Sequence, residues 1–225
     1  LGVVQPDLVQ FSGVAPIILY HAASDEVITV SGLGWWPKSV DLATFIEMHG
    51  GTIPVGVERT VVPAAPDAWI RTLERLGTMS FAEVAADAVR YAGEGFTVHA
   101  LLAENLEAHK DRHAGWPANA SIFMPEGRPL REGGTIVQSD LARALQYMID
   151  EETAVAGKGR EAGLRAARDA FYKGDIAKTI ADHQAAEGGL LTMEDMAEYE
   201  SGFEPPVKQS YTGFGDPIEV YTCAP

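Results

Sequence analysis

A stretch rich in glycine and tryptophan, residues 30–37, is the part of the sequence best suited to hold a ligand. It reads VSGLGWWP, so Leu33 lies between two glycines, and Trp35 and Trp36 are adjacent. Glycine adopts backbone angles that other residues avoid, and proline fixes its own φ. The pattern predicts a rigid turn that displays large aromatic side chains, either in a ligand pocket or at the end of a strand in the core.

The residue types that usually carry out metal, acid–base or nucleophilic chemistry form no recognisable motif. His109 and His113 are four residues apart, as two metal ligands on one helix face would be, but no third ligand is evident and a solvated helix end is the favoured interpretation. The acidic pairs at 151–152 and 194–195 are interpreted as helix-terminal carboxylates rather than as an acid and a base. The sequence has no GxSxG, Walker or GxGxxG motif. The residues alone therefore identify no nucleophile, no metal site and no cofactor.

Composition limits the classes of partner. The 225 residues carry a formal net charge of −15, which argues against binding to nucleic acid or to an anionic membrane surface. The single cysteine, Cys223, cannot form an internal disulfide. No apolar run approaches the roughly 20 residues that span a bilayer. Both ends of the sequence start or stop abruptly beside apolar stretches, which leads us to expect a subunit or a fragment.

The pattern of apolar residues predicts strands near both ends and helices between them. Predicted strands cover 17–20, 27–30, 55–62 and 218–222. Predicted helices cover 42–48, 66–76, 81–92, 98–113, 139–149, 161–171, 175–187 and 193–199, and an irregular surface excursion is expected over 116–134. The last helix has a capping box formed by Thr192 and Asp195. The predicted class is α+β or layered α/β, with a sheet that this chain leaves incomplete and another polypeptide completes.

Several blocks, in order along nearly the whole chain, resemble the large subunit of the γ-glutamyltranspeptidase family. The most specific are FYKGDIA at 171–177 and GGLLTMEDMAEY at 188–199. Weaker matches are LGVVQP at 1–6, VP at 62–63, LERLGT at 73–78, GFTV at 95–98, QSDLA at 138–142 and YTG at 211–213. Any one of the weaker blocks would be unspecific, but their succession supports the resemblance.

The resemblance implies a layered αββα N-terminal-nucleophile hydrolase fold. Residues 1–225 would be a single domain, part of the large subunit of a processed heterodimer or heterotetramer. The partner would be a small subunit that completes the sheet and whose N-terminal Thr attacks an amide carbonyl, with its own α-amino group as the base. This chain would then contain no catalytic residue and need no cofactor, and the substrate would be a small-molecule amide.

One departure from the family pattern concerns substrate recognition. Where this sequence has residues 31–37, the family pattern is Asp, Gly, Arg, Glu, Thr, Ala, Pro, and its Arg binds the α-carboxylate of the γ-glutamyl group. Gly32 and Pro37 keep the register, so Leu33 takes the position of that Arg. An unpaired substrate carboxylate buried there would cost roughly 2–5 kcal/mol. Residues 11–16 and Ala64 also depart from the glycines of the family pattern.

We therefore expect Leu33, Trp35 and Trp36 to shape a less charged acyl pocket of an amidohydrolase or acylase. The alternative is that both Trp pack in the core beneath the subunit interface. Arg59 on a nearby strand could replace the missing cation, as in a γ-glutamyl transpeptidase or hydrolase acting on a glutathione-type substrate, although a surface arginine is the favoured interpretation. A non-catalytic relative that serves as a binding protein also remains open. The sequence does not distinguish hydrolysis from transfer, or a cytoplasmic from a periplasmic or secreted location.

Overall fold

The computed structural model describes residues 1–213 and 215–224. Two compact units are present: the first unit comprises residues 1–11 and 81–150, and the second unit comprises residues 12–80 and those from 151 onward. The strands, numbered along the chain, are β1 (Ile17–His21), β2 (Glu26–Val30), β3 (Phe96–Thr97), β4 (Thr135–Ile136), β5 (Phe203–Glu204), β6 (Val207–Tyr211) and β7 (Ile218–Thr222). That all these residues form one domain stays a prediction.

Helices account for most of the regular secondary structure. They are α1 (Leu42–His49), α2 (Ala65–Leu76), α3 (Phe81–Glu94), α4 (Ala100–Ala108), α5 (Lys110–Ala114), α6 (Pro117–Phe123), α7 (Ser139–Ala154), α8 (Arg160–Tyr172), α9 (Asp175–Ala186) and α10 (Met193–Glu198). Two short 3₁₀ helices cover Val57–Arg59 and Ala156–Lys158. No helix within the described residues combines the length and the apolar character needed to cross a membrane.

The second unit contains an antiparallel sheet in the order β1-β2-β5. β1 and β2 form the predicted hairpin, with Ile17 opposite Val30 and His21 opposite Glu26. β5 adds to β2 with Val30 opposite Phe203. The β-branched residues of β2 favour an extended backbone, and its last residue, Val30, is fully buried. This strand therefore anchors the chain immediately before residues 31–37.

Helices α2, α8, α9 and α10 pack together in the second unit. Small residues let the helices approach closely, because Ala65 and Ala68 of α2 and Ala167 of α8 are completely buried. Pro66 lies in the first turn of α2, where its missing N–H leaves no bond unmade. Arg160 of α8 donates to the carbonyls of Leu73 and Glu74, which end α2. The end of α2 is thus fixed by Arg160 of α8.

The first unit has its own apolar core, formed by Val98, Leu102, Leu106, Phe123 and Ile136. Its two-residue strands pair antiparallel, with Phe96 opposite Ile136. Gly95, at a positive φ of 90°, precedes that pairing, and a Cβ there would meet the carbonyl oxygen of Ile136 at 2.8 Å. The predicted helix ending before residue 93 instead continues through Glu94, so this glycine ends it.

The hairpin β6-β7 pairs Val207 with Thr222 and Tyr211 with Ile218. Every residue of β6 is exposed, as is most of β7. The predicted strand at 218–222 is confirmed. The described sheets are small, as a sheet left incomplete would be, and its completion by another chain stays a prediction.

Three predicted elements are wrong. Residues 55–62 form no strand, because Gly56 has φ 140° and Val57–Arg59 closes as a 3₁₀ helix. The predicted helix over 98–113 starts later, since the His99 side chain caps α4, and it breaks at His109. The predicted irregular excursion over 116–134 contains α6, which Pro117 starts. The first two predictions rested on apolar residues, whereas the third rested on the Pro, Gly and Asn content of residues 116–134, where Pro117 instead begins a helix.

Candidate functional site

Residues 31–37, called the Trp segment below, form no regular secondary structure and are tied to neighbouring segments by backbone hydrogen bonds. The Ser31 N–H donates to the Gly202 carbonyl at 2.9 Å, and the Gly202 N–H donates to the Ser31 hydroxyl at 3.0 Å. The Ala15 N–H donates to the Gly32 carbonyl at 2.7 Å, and the Val62 N–H donates to the Trp35 carbonyl at 2.8 Å. The backbone of the Trp segment is therefore held on both sides while its side chains stay available.

Both glycines of the Trp segment are required by its geometry. Gly32 has φ 42°, and a Cβ there would lie 2.2 Å from the Ala15 carbonyl oxygen. Gly34 has φ 77°, and a Cβ there would lie 2.3 Å from the Val62 carbonyl oxygen. A side chain at either position would combine left-handed backbone strain with a backbone clash. The glycines on either side of Leu33 thus allow the backbone of Ala15 and that of Val62 to approach the Trp segment closely.

The three apolar side chains predicted to bind substrate are exposed in this chain. Leu33 is 50% exposed, Trp35 is 52% exposed and Trp36 is 42% exposed. The Trp35 ring meets Tyr199 edge to face at 5.1 Å, and the Trp36 ring meets Phe45 of α1 at 5.5 Å. Neither Trp lies in the core of the described chain. The Trp segment offers a short apolar surface whose two indoles are each held from one side by another aromatic ring.

Arg59 lies at the end of the 3₁₀ helix rather than on the predicted strand. Its side chain is exposed, and within the described residues it forms no ion pair. Three residues later, the Val62 N–H donates to the Trp35 carbonyl. The segment that follows Arg59 therefore contacts the Trp segment. The preceding residue, Glu58, lies 3.6 Å from the His49 ring nitrogen. The structure thus places an exposed cation at the end of the 3₁₀ helix, three residues before the backbone contact with the Trp segment.

A buried ion pair between Asp67 and Arg168, which the sequence analysis did not predict, binds the backbone of the segment that contains Tyr199 and Ser201. The Asp67 carboxylate on α2 is fully buried, accepts a charged hydrogen bond from Arg168 of α8, and accepts the Ser201 N–H at 2.6 Å. Arg168 also donates to the Tyr199 carbonyl. The sequence pattern placed Asp67 after Pro66 at the start of a helix and gave no sign of a distant partner. The signal that could have found the pair is an arginine on the apolar face of α8.

Tyr172 extends the buried ion pair. Its hydroxyl donates to the Pro63 carbonyl at 2.6 Å and accepts the Asp67 N–H at 3.1 Å, while its ring stacks on Tyr199 at 5.9 Å. Burial raises the pKa of Tyr172 far above its ordinary value, so the phenol stays protonated. The FYKGDIA block therefore contributes a tyrosine that fixes the start of α2.

Asp195 is a capping residue rather than half of an acid–base pair. Its Oδ2 accepts the N–H and the hydroxyl of Thr192, which completes the predicted capping box, and its Oδ1 accepts the Lys38 N–H at 2.9 Å. The Lys38 side chain pairs with Glu194 and Glu198 of α10. The residue directly after the Trp segment is thus bound to the start of α10.

Replacing Asp195 with alanine is expected to lower the free energy of unfolding by about 1–2 kcal/mol at neutral pH, as loss of a buried cap does. Burial alone would raise the pKa of Asp195, but hydrogen bonds from Lys38 and Thr192 outweigh it, so the pKa lies below its ordinary value of 3.8. A pKa lowered by folding means that the stabilisation is complete above 3.8 and is lost as the pH falls through the folded-state pKa. Urea unfolding at neutral pH and at about pH 2 measures the difference.

The matched control for Asp195→Ala is Glu194→Ala, because Glu194 is the exposed neighbour and does not cap α10. Its unfolding midpoint should stay near the wild-type value. A wild-type minus Asp195→Ala difference that is equally large at both pH values would contradict the role given to the ionised carboxylate.

His109 and His113 each contact neighbouring residues of the first unit. His109 lies at the break between α4 and α5, and its Nδ1 pairs with the Asn105 carbonyl at 3.0 Å. His113 packs on Phe123, and burial lowers its pKa. Among residues 1–213 and 215–224, no three His, Cys, Asp or Glu side chains are arranged to hold a metal ion.

Comparison with known proteins defines the class of this chain. The family profile described as Gamma-glutamyltranspeptidase matches residues 1–225. The chain therefore belongs to the γ-glutamyltranspeptidase family, and the resemblance seen in the sequence is confirmed. The solved structure of the Helicobacter pylori γ-glutamyltranspeptidase superposes with a TM-score of 0.85 at 23% identity, covering 100% of this chain and 60% of that chain. This supports the mixed α/β fold.

Two curated relatives carry different names. The glutathione hydrolase proenzyme of Bacillus subtilis (strain 168) is 25% identical over 219 residues, which is 95% of this chain and 35% of that protein. The acylase ACY 1 proenzyme of Pseudomonas sp. (strain SE83) is 32% identical over 160 residues, which is 71% of this chain and 26% of that protein. This chain thus spans 35% and 26% of the lengths of these relatives. The family contains both hydrolases of glutathione and acylases by name, so membership leaves the acyl group open.

Proposed function

We propose that this chain is the large-subunit part of an amide-cleaving enzyme whose acyl site accepts a group without the γ-glutamyl α-carboxylate. In this proposal the chain binds and orients the acyl group. A small subunit supplies an N-terminal Thr whose hydroxyl attacks the amide carbonyl, its α-amino group takes the proton, the amine leaves, and water releases the acyl group. The names of the two relatives, one a glutathione hydrolase and one an acylase, are compatible with either acyl specificity.

The observation that carries the proposal is Leu33. In the register set by Gly32 and Pro37 it takes the position of the family's carboxylate-binding Arg, and it is half exposed between two glycines. An isobutyl group cannot replace a guanidinium that grips a carboxylate with two hydrogen bonds. The exposed Trp35 and Trp36 add apolar surface on the same segment. An acyl group with an apolar tail fits this surface better than a charged amino acid.

The test is a panel of chromogenic anilides offered to the purified full-length protein. The panel contains γ-glutamyl, acetyl, hexanoyl and phenylacetyl anilides, and it is read as kcat/KM. We expect the hexanoyl or phenylacetyl anilide to exceed the γ-glutamyl anilide by about 30-fold or more, since a lost charged contact costs roughly 2–5 kcal/mol. Preferred turnover of the γ-glutamyl anilide would overturn the proposal.

A denaturing gel with mass spectrometry of the same preparation separates an enzyme from a non-catalytic binding protein. A second, smaller chain that begins with Thr supports the enzyme. An unprocessed polypeptide that cleaves none of the anilides supports the binding protein.

A second candidate function is a γ-glutamyl transpeptidase or hydrolase that uses Arg59 as its cation. The observation in its favour is that the exposed Arg59, without an ion pair among the described residues, lies on the chain that reaches Trp35 through Val62. In that case the γ-glutamyl anilide would be the preferred substrate, and Arg59→Ala would raise its KM. Arg75→Ala is the matched control, because Arg75 is also exposed but lies over the Phe203 ring, at 4.4 Å.

A further inference from the structure

Tyr199 contacts the Trp segment in two different ways. Its ring meets the Trp35 indole edge to face, with centroids 5.1 Å apart and planes at 68°. Its hydroxyl interacts with the backbone of Gly34 and lies 3.2 Å from the Ser201 hydroxyl. One buried side chain thus touches both the backbone before Trp35 and the indole of Trp35 itself.

Tyr199 is itself fixed from the opposite side. Its ring stacks on Tyr172 at 5.9 Å with an interplanar angle of 22°, and its carbonyl accepts a hydrogen bond from Arg168. Burial raises the pKa of Tyr199, so its hydroxyl stays protonated near neutral pH. A rigid support of this kind restricts the rotamers of the half-exposed Trp35 indole.

We propose that Tyr199 is a positioning residue that fixes the Gly34 backbone and the Trp35 indole, and thereby sets the preference of the site for long or aromatic acyl groups. The selectivity part rests on the proposed function, whereas the positioning of the indole does not. Tyr199 touches the substrate-facing residue and not the acyl group. Its removal therefore weakens the binding of acyl groups that are long enough to reach Trp35. The binding of a short acyl group is unaffected.

Two variants separate the contacts of Tyr199. Tyr199→Phe keeps the ring contact with Trp35 and removes the hydroxyl, whereas Tyr199→Leu removes both. The matched control is Tyr172→Phe, which removes two buried hydrogen bonds, to Pro63 and Asp67, and touches no residue of the Trp segment. All three variants are expected to lose stability. Tyr172→Phe therefore shows how much of any kinetic change is due to lower stability alone.

The first measurement is steady-state kinetics of the full-length protein with acetyl and phenylacetyl anilides. For Tyr199→Phe we expect KM for the phenylacetyl anilide to rise about fivefold to tenfold with kcat within about twofold, because the hydroxyl's polar contacts with Ser201 and with the Gly34 backbone are lost. Tyr199→Leu should show a larger rise. The KM ratio of the two substrates should stay unchanged in Tyr172→Phe, and a rise that is equal for both substrates in the Tyr199 variants would overturn the proposal.

The second measurement does not depend on activity. The near-ultraviolet circular dichroism of Trp35 is obtained as the difference between spectra with and without Trp35→Phe. This difference should disappear in the Tyr199→Leu background and persist in the Tyr172→Phe background, because a fixed indole gives a signal that a mobile one does not. If it persists in Tyr199→Leu, the positioning role is overturned. If it disappears while the wild type cleaves no anilide, the proposed function fails and the positioning role stands.

Discussion

Replacing Leu33 with arginine is expected to raise kcat/KM for a γ-glutamyl anilide by about 30-fold or more. The new guanidinium would stand at the register position where the family binds the α-carboxylate, on a backbone held by Ala15 and Val62. The lower end of the 2–5 kcal/mol range for a charged contact corresponds to this factor. Because Leu33 is half exposed in this chain, the longer side chain has solvent to extend into. Turnover of the phenylacetyl anilide should fall in the same variant.

Two controls make the Leu33→Arg result specific. Leu33→Gln has a similar length without the charge and should not gain γ-glutamyl activity. Ile46→Arg adds the same charge to the exposed face of α1 and should not gain it either. Equal activation by Ile46→Arg would point to general electrostatic attraction of the substrate, and no activation by Leu33→Arg would refute the register that relates Leu33 to the family's Arg.

Replacing Asp67 with alanine is expected to lower the free energy of unfolding by about 3–5 kcal/mol. The change leaves Arg168 nearly buried without its carboxylate and leaves the Ser201 N–H without its acceptor. Removal of one partner from a buried ion pair is strongly destabilising, because the remaining charge is uncompensated. Urea unfolding of the full-length protein, followed by far-ultraviolet circular dichroism, measures the loss.

The control for Asp67→Ala is Asp182→Ala, which breaks an exposed pair with Lys178 on α9. Exposed pairs contribute little, so the unfolding midpoint of this variant should stay near that of the wild type. The double variant Asp67→Leu with Arg168→Met should recover part of the loss, since it removes both charges. A loss below about 1 kcal/mol in Asp67→Ala would contradict the structural importance of the pair.

Local sequence signals predicted the helices and strands that begin or end at turn or capping residues. The hairpin of β1 and β2 follows from β-branched runs around a polar turn, and α1 ends where Gly50 takes a left-handed conformation. The capping box of Thr192 and Asp195 starts α10 as expected. These signals act between residues close in sequence, so one sequence is enough to detect them.

Pairings between distant residues were not predictable in this way. Residues 55–62 have the composition of a strand, but they join none of the strand pairs in the described part of the chain, and Gly56 has a φ of 140°. Asp67 and Arg168 lie 101 residues apart, and nothing local shows that the packing of α2 on α8 buries both. The contact between the rings of Trp35 and Tyr199 likewise joins residues that are far apart in the sequence, so no local pattern predicted it.

For the candidate site, the sequence by itself determined the glycine spacing, the two tryptophans and the absence of an arginine at position 33. It could not decide whether the indoles lie in a core or at a surface, because burial depends on which elements pack together. The tertiary structure decided that Leu33, Trp35 and Trp36 are half exposed in this chain. It also decided that Arg59 is the last residue of a 3₁₀ helix and not part of a strand. The physical reason is that backbone angles are encoded locally, whereas exposure and support are set by contacts between residues far apart in the chain.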